Sequence, residues 1–239
     1  MTSIINWESA YLDFSPYYGE EWQYYYDPIL RMIPQGSKVL DIGCGAGFLS
    51  FYLVHKHNCE VVSIDVSPKA VDICMTKGLN AHCINVDTEP ISGTYDYIIL
   101  AASMEHMIFP RGVLEKLRGN LSESGNVIIV VPNTTDILSR LRFLKGICIQ
   151  QSVGELFDKT EYGLQAAGHL HFYNQYTLGM LLNKLGYAPL EWVFATDPKV
   201  NYKSHNILAY PFVWLYHTMY GKIGGRLFSE LMTVRAKKI

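Results

Sequence analysis

The chain has 239 residues, 49% of them hydrophobic and 18% charged, with a formal net charge of −2. That length suits one embellished domain better than two independent ones. Lys and Arg form no block, so a nucleic-acid partner, which is held largely through its phosphates, is not expected.

Residues 1 to 36 are aromatic and polar, with Trp7, Tyr11, Tyr17, Tyr18 and the run Tyr24-Tyr25-Tyr26. Asp27-Pro28 and Pro34-Gln35-Gly36 interrupt them. One or two short helices are expected there, as an N-terminal helical cap on a main domain spanning 37–239. Lys38 to Ile42 is an apolar run ending in glycines, the pattern of a buried parallel strand. Gly47 to His55 is expected to be helical, and His55, Lys56 and His57 suit the negative end of its dipole. Glu60 to Ile64 is the second strand. Ser67-Pro68 opens a helix, with Ser as N-cap and Pro in the first turn, and Gly78 stops it.

Ala81 to Asn85 and Asp96 to Ala101 are expected as the third and fourth strands. A helix over Arg111 to Gly119 and a strand over Asn126 to Val131 follow. Strands and helices alternate through short links, which implies an α/β, Rossmann-like, doubly wound and mostly parallel sheet. Beyond Pro132 the alternation breaks. Asp136 to Lys145 is expected to be helical. Asn174 to Leu185 carries Leu178, Leu181, Leu182 and Leu185 on one face, between an Asn cap and Gly186. Ala188 to Phe194 and Leu227 to Ala236 are late strands. Segments at about 134–174 and 195–226 are expected as helical lid elements facing an acceptor, and residues 206 to 220 form an aromatic insertion.

The five cysteines are odd in number and form no CxxC pair, so reduced thiols in a cytoplasmic protein are expected, without a metal site. Met1 to Glu8 lacks the basic lead and apolar core of a signal peptide. The longest apolar run, Ile207 to Tyr216, is shorter than the roughly 20 residues that span a bilayer.

The chemistry is concentrated in Val39-Leu40-Asp41-Ile42-Gly43-Cys44-Gly45-Ala46-Gly47, a strand running through G-x-G-x-G into a helix. Glycines there let main chain approach a ligand at the carboxyl edge of the sheet. The dinucleotide fingerprint G-x-G-x-x-G would place its third glycine at Phe48, but the glycine stands one position earlier, at Gly47. A pyrophosphate cofactor is therefore disfavoured. Asp65 ends the second strand 22 residues beyond Gly43, where a carboxylate can accept both ribose hydroxyls.

These residues resemble class I S-adenosylmethionine-dependent methyltransferases, together with Ser63-Ile64-Asp65-Val66-Ser67, Asn85-Val86-Asp87, Tyr95-Asp96-Tyr97-Ile98-Ile99, Met104-Glu105-His106 and Val130-Val131-Pro132-Asn133. The likeness covers roughly residues 37 to 135. A weaker one through His169-Leu170-His171-Phe172-Tyr173 resembles ubiquinone-type O-methyltransferases and bacterial glycan or natural-product methyltransferases. The resemblance implies a seven-stranded sheet with an antiparallel final hairpin, and S-adenosylmethionine as cofactor with S-adenosylhomocysteine as product. It implies that Gly43, Cys44, Gly45 and Gly47 hold the methionine part, with Asp41 near its amino group. Asp65, beside Val66, would take the ribose, and Val86 and Asp87 the adenine. Ala101 to Met104 would lie along the methionyl chain.

Three histidines are candidates for a base toward an acceptor hydroxyl: His106 after the fourth strand, and His169 and His171, which alternate as strand neighbours would. A metal pair of His169 and His171 lacks a third ligand nearby in sequence. One of Tyr17 or Tyr18 could cover a sulfonium cation. The expected reaction is methyl transfer to a small-molecule, glycan or lipid-like acceptor, on oxygen, with at most weak peripheral membrane contact. A non-catalytic S-adenosylmethionine-binding module and a nicotinamide-dependent oxidoreductase are the competing readings.

Overall fold

The computed structural model describes residues 25–146, 169–195 and 225–239. The expected lids, Tyr17, Tyr18 and the aromatic insertion at 206–220 lie wholly or mostly outside these residues. Among them the chain runs in order through α1 (Tyr26–Met32), β1 (Lys38–Ile42), α2 (Phe48–His57), β2 (Glu60–Asp65), α3 (Pro68–Thr76), β3 (Asn80–Cys83) and β4 (Tyr95–Ala101). A 3-10 turn (Met104–His106), α4 (Pro110–Gly119), β5 (Leu121–Pro132), α5 (Ile137–Leu144), α6 (Gln175–Lys184), β6 (Tyr187–Ala195), α7 (Gly225–Phe228) and β7 (Leu231–Lys238) complete it.

The strands form one seven-stranded sheet in the order β3-β2-β1-β4-β5-β7-β6. From β3 to β5 every pairing is parallel, whereas β7 is antiparallel to both β5 and β6. Chain order reverses between β1 and β4. In doubly wound sheets the crevice outside the carboxyl ends at such a switch point is where ligands bind.

The parallel strands are continuously apolar because both faces are covered. Leu40, Ile42, Ile98, Leu100, Ile129 and Val234 face α4 and α6, meeting Leu114, Leu117, Leu178 and Leu182. Val39, Ile99, Ile128 and Val130 face the opposite side, against Ile29 and Leu30 of α1 and Leu49 and Leu53 of α2. The first described helix is thus part of the core. Tyr187 is fully buried, and its hydroxyl donates to the Leu114 carbonyl at 2.7 Å, joining β6 to α4.

Local chemistry sets the helix ends. The Ser67 hydroxyl accepts from the Ala70 amide with Pro68 next in line. Asn174 and Thr177 form a reciprocal capping box at the start of α6.

Three sequence expectations need correction. The last strand starts at Leu231, not Leu227, because residues 225–228 turn as a short helix that buries Phe228. The Asn133 side-chain amide holds that turn by donating to the carbonyls of Arg226 and Ser229. β5 begins at Leu121, five residues before Asn126, because its pairing with β4 continues past a register shift between Tyr95 and Tyr97. Residues 169–172 form no strand. Only a single bridge, Tyr173 with Asn133, touches that stretch, while the amides of Leu170 and His171 both donate to the Glu105 carbonyl.

Candidate active site

A cavity of about 200 Å³ opens at the switch point. Its wall includes ten of the residues singled out from sequence: Asp41, Gly43, Cys44, Gly45, Asp65, Val66, Val86, Asp87, Ala101 and His106. Gly47 is not among them. Its φ is +75°, and a Cβ there would stand 2.6 Å from Leu79 and 2.7 Å from the Cys74 sulfur. Gly47 therefore lets the loop turn tightly onto α3 rather than facing the cavity. Gly43 does face it, at φ +73°, and a Cβ there would lie 2.6 Å from the Ser103 Cβ. The bare main chain leaves a cradle that a side chain would fill.

The acidic residues are anchored before any ligand arrives. Asp41 ends up beneath the loop because β1 is buried on both faces. Its Oδ2 accepts from the Ser50 hydroxyl at 2.6 Å, which in turn accepts from Ser63 at 2.8 Å. Burial, with the Asp65 charge nearby, pushes the Asp41 carboxyl up to about 6 despite the Ser50 bond. Asp65 accepts the Gly45 amide on Oδ2 and the Ser67 amide on Oδ1, both at 2.9 Å. Burial raises its pKa, and those amides oppose the rise. Asp87 accepts the amides of Ile108 (3.1 Å) and Phe109 (2.9 Å), so it also fastens the loop beyond the 3-10 turn.

The aromatic wall comes from residues that the sequence analysis did not assign to the site. Tyr25, Tyr26 and Phe48 line the cavity. Tyr26 stacks on Phe48 at 5.9 Å, and Phe48 on Tyr52 at 6.1 Å. The signal was present in the Tyr24-Tyr25-Tyr26 run immediately before a helix-opening Asp-Pro. Ser103 was also missed as an individual residue. Its hydroxyl is buried in the wall and has no hydrogen-bond partner among the described residues. Met104 turns away into the core, fully buried.

His106 sits at one end of the cavity with its ring 4.9 Å from that of His169. His169 and His171 do not line the cavity wall. His171 instead lies 6.3 Å from the Tyr173 ring, so the two histidines have different neighbours. Desolvation of the His169 ring, with His106 beside it, pushes its pKa down to about 4. Its imidazole is therefore neutral through the physiological range and a weak proton acceptor, which leaves His106 as the stronger candidate base. Glu105 is 1% exposed, and its Oε2 has no partner among the described residues. The group that the structure brings together is not the His169/His171 pair: Glu105 joins His106 and His169, and His171 is not part of it. Side-chain atoms of Glu105, His106 and His169 lie within 4.8 Å of one another, a spacing that could hold a divalent cation.

Burial alone pushes the Glu105 carboxyl up to about 8. A raised folded-state pKa makes the folded chain bind the proton more tightly than the unfolded chain does. The associated stability is complete below about pH 4.5 and is lost as pH rises through 8. Glu105→Gln is expected to melt with the parent near pH 4.5, and about 5 °C above it at pH 8. Scanning calorimetry across that range checks this, and equal melting curves at pH 8 would refute the burial argument.

Comparison with known proteins agrees with this geometry. Residues 17–191 match the model of a methyltransferase domain. A mitochondrial ubiquinone biosynthesis O-methyltransferase of Schizosaccharomyces pombe is 29% identical over 115 residues, 44% of this chain and 41% of that protein. The chain spans about half the length of the curated relatives it matches. Among solved structures, a SAM-dependent methyltransferase from Archaeoglobus fulgidus superposes with a TM-score of 0.64 at 18% identity, covering 95% of this chain and 99% of that one. Magnesium protoporphyrin IX methyltransferase from Synechocystis, solved with SAH, gives 0.64 at 14% identity, covering 97% and 95%. With the family model spanning most of the chain, this protein belongs to the methyltransferase-domain family.

Proposed function

We propose that the protein binds S-adenosylmethionine in the switch-point cavity and transfers its methyl group to an oxygen of a small-molecule, glycan or lipid-like acceptor. The observation that carries this reading is the cavity itself, lined together by the glycine cradle, three anchored carboxylates (Asp41, Asp65 and Asp87) and an imidazole. The residues fit the cofactor on two structural grounds. Gly43 sits so close to Ser103 that a Cβ would collide with it, so bare main chain borders the cavity, and the buried Ser103 hydroxyl has no partner among the described residues.

Gly43, Cys44 and Gly45 would hold the amino-acid end, with Asp41 near its amino group. Asp65 keeps lone pairs for a ribose diol beyond the two amides it already accepts, and Val66, Val86 and Asp87 border the place for adenine. Ala101 lies on the floor between the two ends. When bound, the cofactor supplies a methyl group already activated by its sulfonium. The protein's task is then alignment and exclusion of water, which can contribute on the order of 7–11 kcal/mol. His106, backed by His169, is the base toward an acceptor hydroxyl.

Removing the proton acceptor should slow turnover without loosening the cofactor. His106→Ala and His169→Ala are expected to lower kcat by about 10²-fold, with cofactor affinity changed less than severalfold. Steady-state kinetics with calorimetry check this. Full turnover in these variants and in His171→Ala would remove the base. Loss of activity after exhaustive chelation would instead assign the Glu105, His106 and His169 group to a cation. Calorimetry with a nicotinamide cofactor would give no heat on this reading, and binding of S-adenosylmethionine without turnover on any acceptor class would favour a non-catalytic module.

A further inference from the structure

The glycine loop carries a second piece of chemistry. Cys44 occupies the first variable position of G-x-G-x-G, and Cys74 lies thirty residues later on α3. Nothing in their separation pairs them, yet the fold brings their sulfurs to 3.8 Å. A disulfide needs about 2.05 Å, so the remaining approach is within reach of side-chain rotation and a small loop shift. The two thiols differ in access. Cys44 is half-buried and borders the cavity, whereas Cys74 is fully buried behind it. That is the arrangement of a reachable thiol with a resolving partner.

We infer that Cys44 and Cys74 form a reversible disulfide that closes the cofactor cleft, rendering the enzyme sensitive to peroxide-class oxidants. The inference rests on the cofactor reading above. In the first step the Cys44 sulfur attacks one peroxide oxygen. The O–O bond breaks, and the thiol proton leaves with the departing hydroxide as water, giving a sulfenic acid. In the second step the Cys74 sulfur attacks the Cys44 sulfur and expels hydroxide, which leaves as a second water with the Cys74 proton. Two thiols lose two electrons, and one peroxide becomes two waters.

The consequence for the cleft follows from what both thiols now hold. They converge on the Gly45 carbonyl, at 3.6 Å from Cys44 and 3.2 Å from Cys74. The amide of the same residue donates to Asp65. Oxidation removes both S–H donors and draws the loop toward α3, so the Gly45 amide and the Asp65 carboxylate lose their register. Oxidised protein binds the cofactor poorly, and by linkage bound cofactor retards oxidation.

The test uses the purified full chain, reduced and then titrated with hydrogen peroxide. Peptide mapping is expected to find a Cys44–Cys74 crosslink, and none at the buried Cys59 or the exposed Cys83. S-adenosylhomocysteine affinity measured by calorimetry should fall at least tenfold and return with dithiothreitol. Cys74→Ser should bind as the reduced parent does and keep that affinity after peroxide. If Cys74→Ser does not fold, Cys74→Ala with the same readouts takes its place. Overoxidised Cys44 without a crosslink, or a crosslink with unchanged affinity, would overturn the inference. A crosslink in a chain whose reduced form gives no binding heat would overturn the cofactor reading instead.

Discussion

Asp65→Asn is expected to weaken S-adenosylmethionine binding about 100-fold. The parent carboxylate accepts two amides, from Gly45 and Ser67, and is 8% exposed. An asparagine has the same shape but only one oxygen. Its NH₂ would then meet one of those two N–H groups, donor against donor. A hydrogen bond to a charged acceptor contributes about 1.5–3 kcal/mol, and the ribose diol would lose its charged partner as well. At about 1.4 kcal/mol for each factor of ten, two such losses give the stated effect. Titration calorimetry of the cofactor checks it, beside circular dichroism to show that the sheet is formed. Affinity within threefold of the parent would mean that Asp65 serves only to cap the loop.

Gly43→Ala should have the second-largest effect, and it tests main chain rather than a side chain. Holding a residue other than glycine at φ +73° costs about 1–3 kcal/mol. The added methyl also meets Ser103 Cβ at 2.6 Å, a distance that forces the end of β4 or the loop to move. Ser103 is not free to give way, because Ala102 before it already holds a positive φ of 53°. The expected outcome is a melting temperature lower by about 2–10 °C and at least tenfold weaker cofactor binding. Gly36→Ala is the control, since it has a similar φ of +76° with nothing within 4 Å of the new methyl. It should lose stability alone. Equal binding by Gly43→Ala and the parent would show that the cradle is not where the methionine end lies.

Much of the parallel half was legible because local and global signals agree there. Ser67-Pro68, the glycines after Ile42 and the apolar runs of β1, β2 and β4 each specify one structure on their own. The antiparallel end was harder. Leu227 and Phe228 are as apolar as a strand, and only the distant Asn133 amide shows why they turn. The start of β5 was obscured because Ser122, Glu123 and Ser124 lie in a shift of register that leaves them without β4 partners, while Leu121 beyond them pairs with Tyr95. At the site, the motif residues of the cofactor half converge except Gly47, whose neighbours Leu79 and Cys74 come from later in the chain. The histidines defeated the reading of alternation because periodicity assumes a strand. Residues 169–171 instead hang from the Glu105 carbonyl, a contact 65 residues away in sequence for Leu170.

The position of β7 bears on how the molecule is made. β7, made after both of its neighbours, is inserted between β5 and β6 and pairs with both. Until residues 231–238 emerge, neither of those strands has its partner on that side, and each offers a bare ladder to neighbouring nascent chains. Completion of the sheet therefore waits for residues 231–238, and the interval before it is when the chain most needs a chaperone.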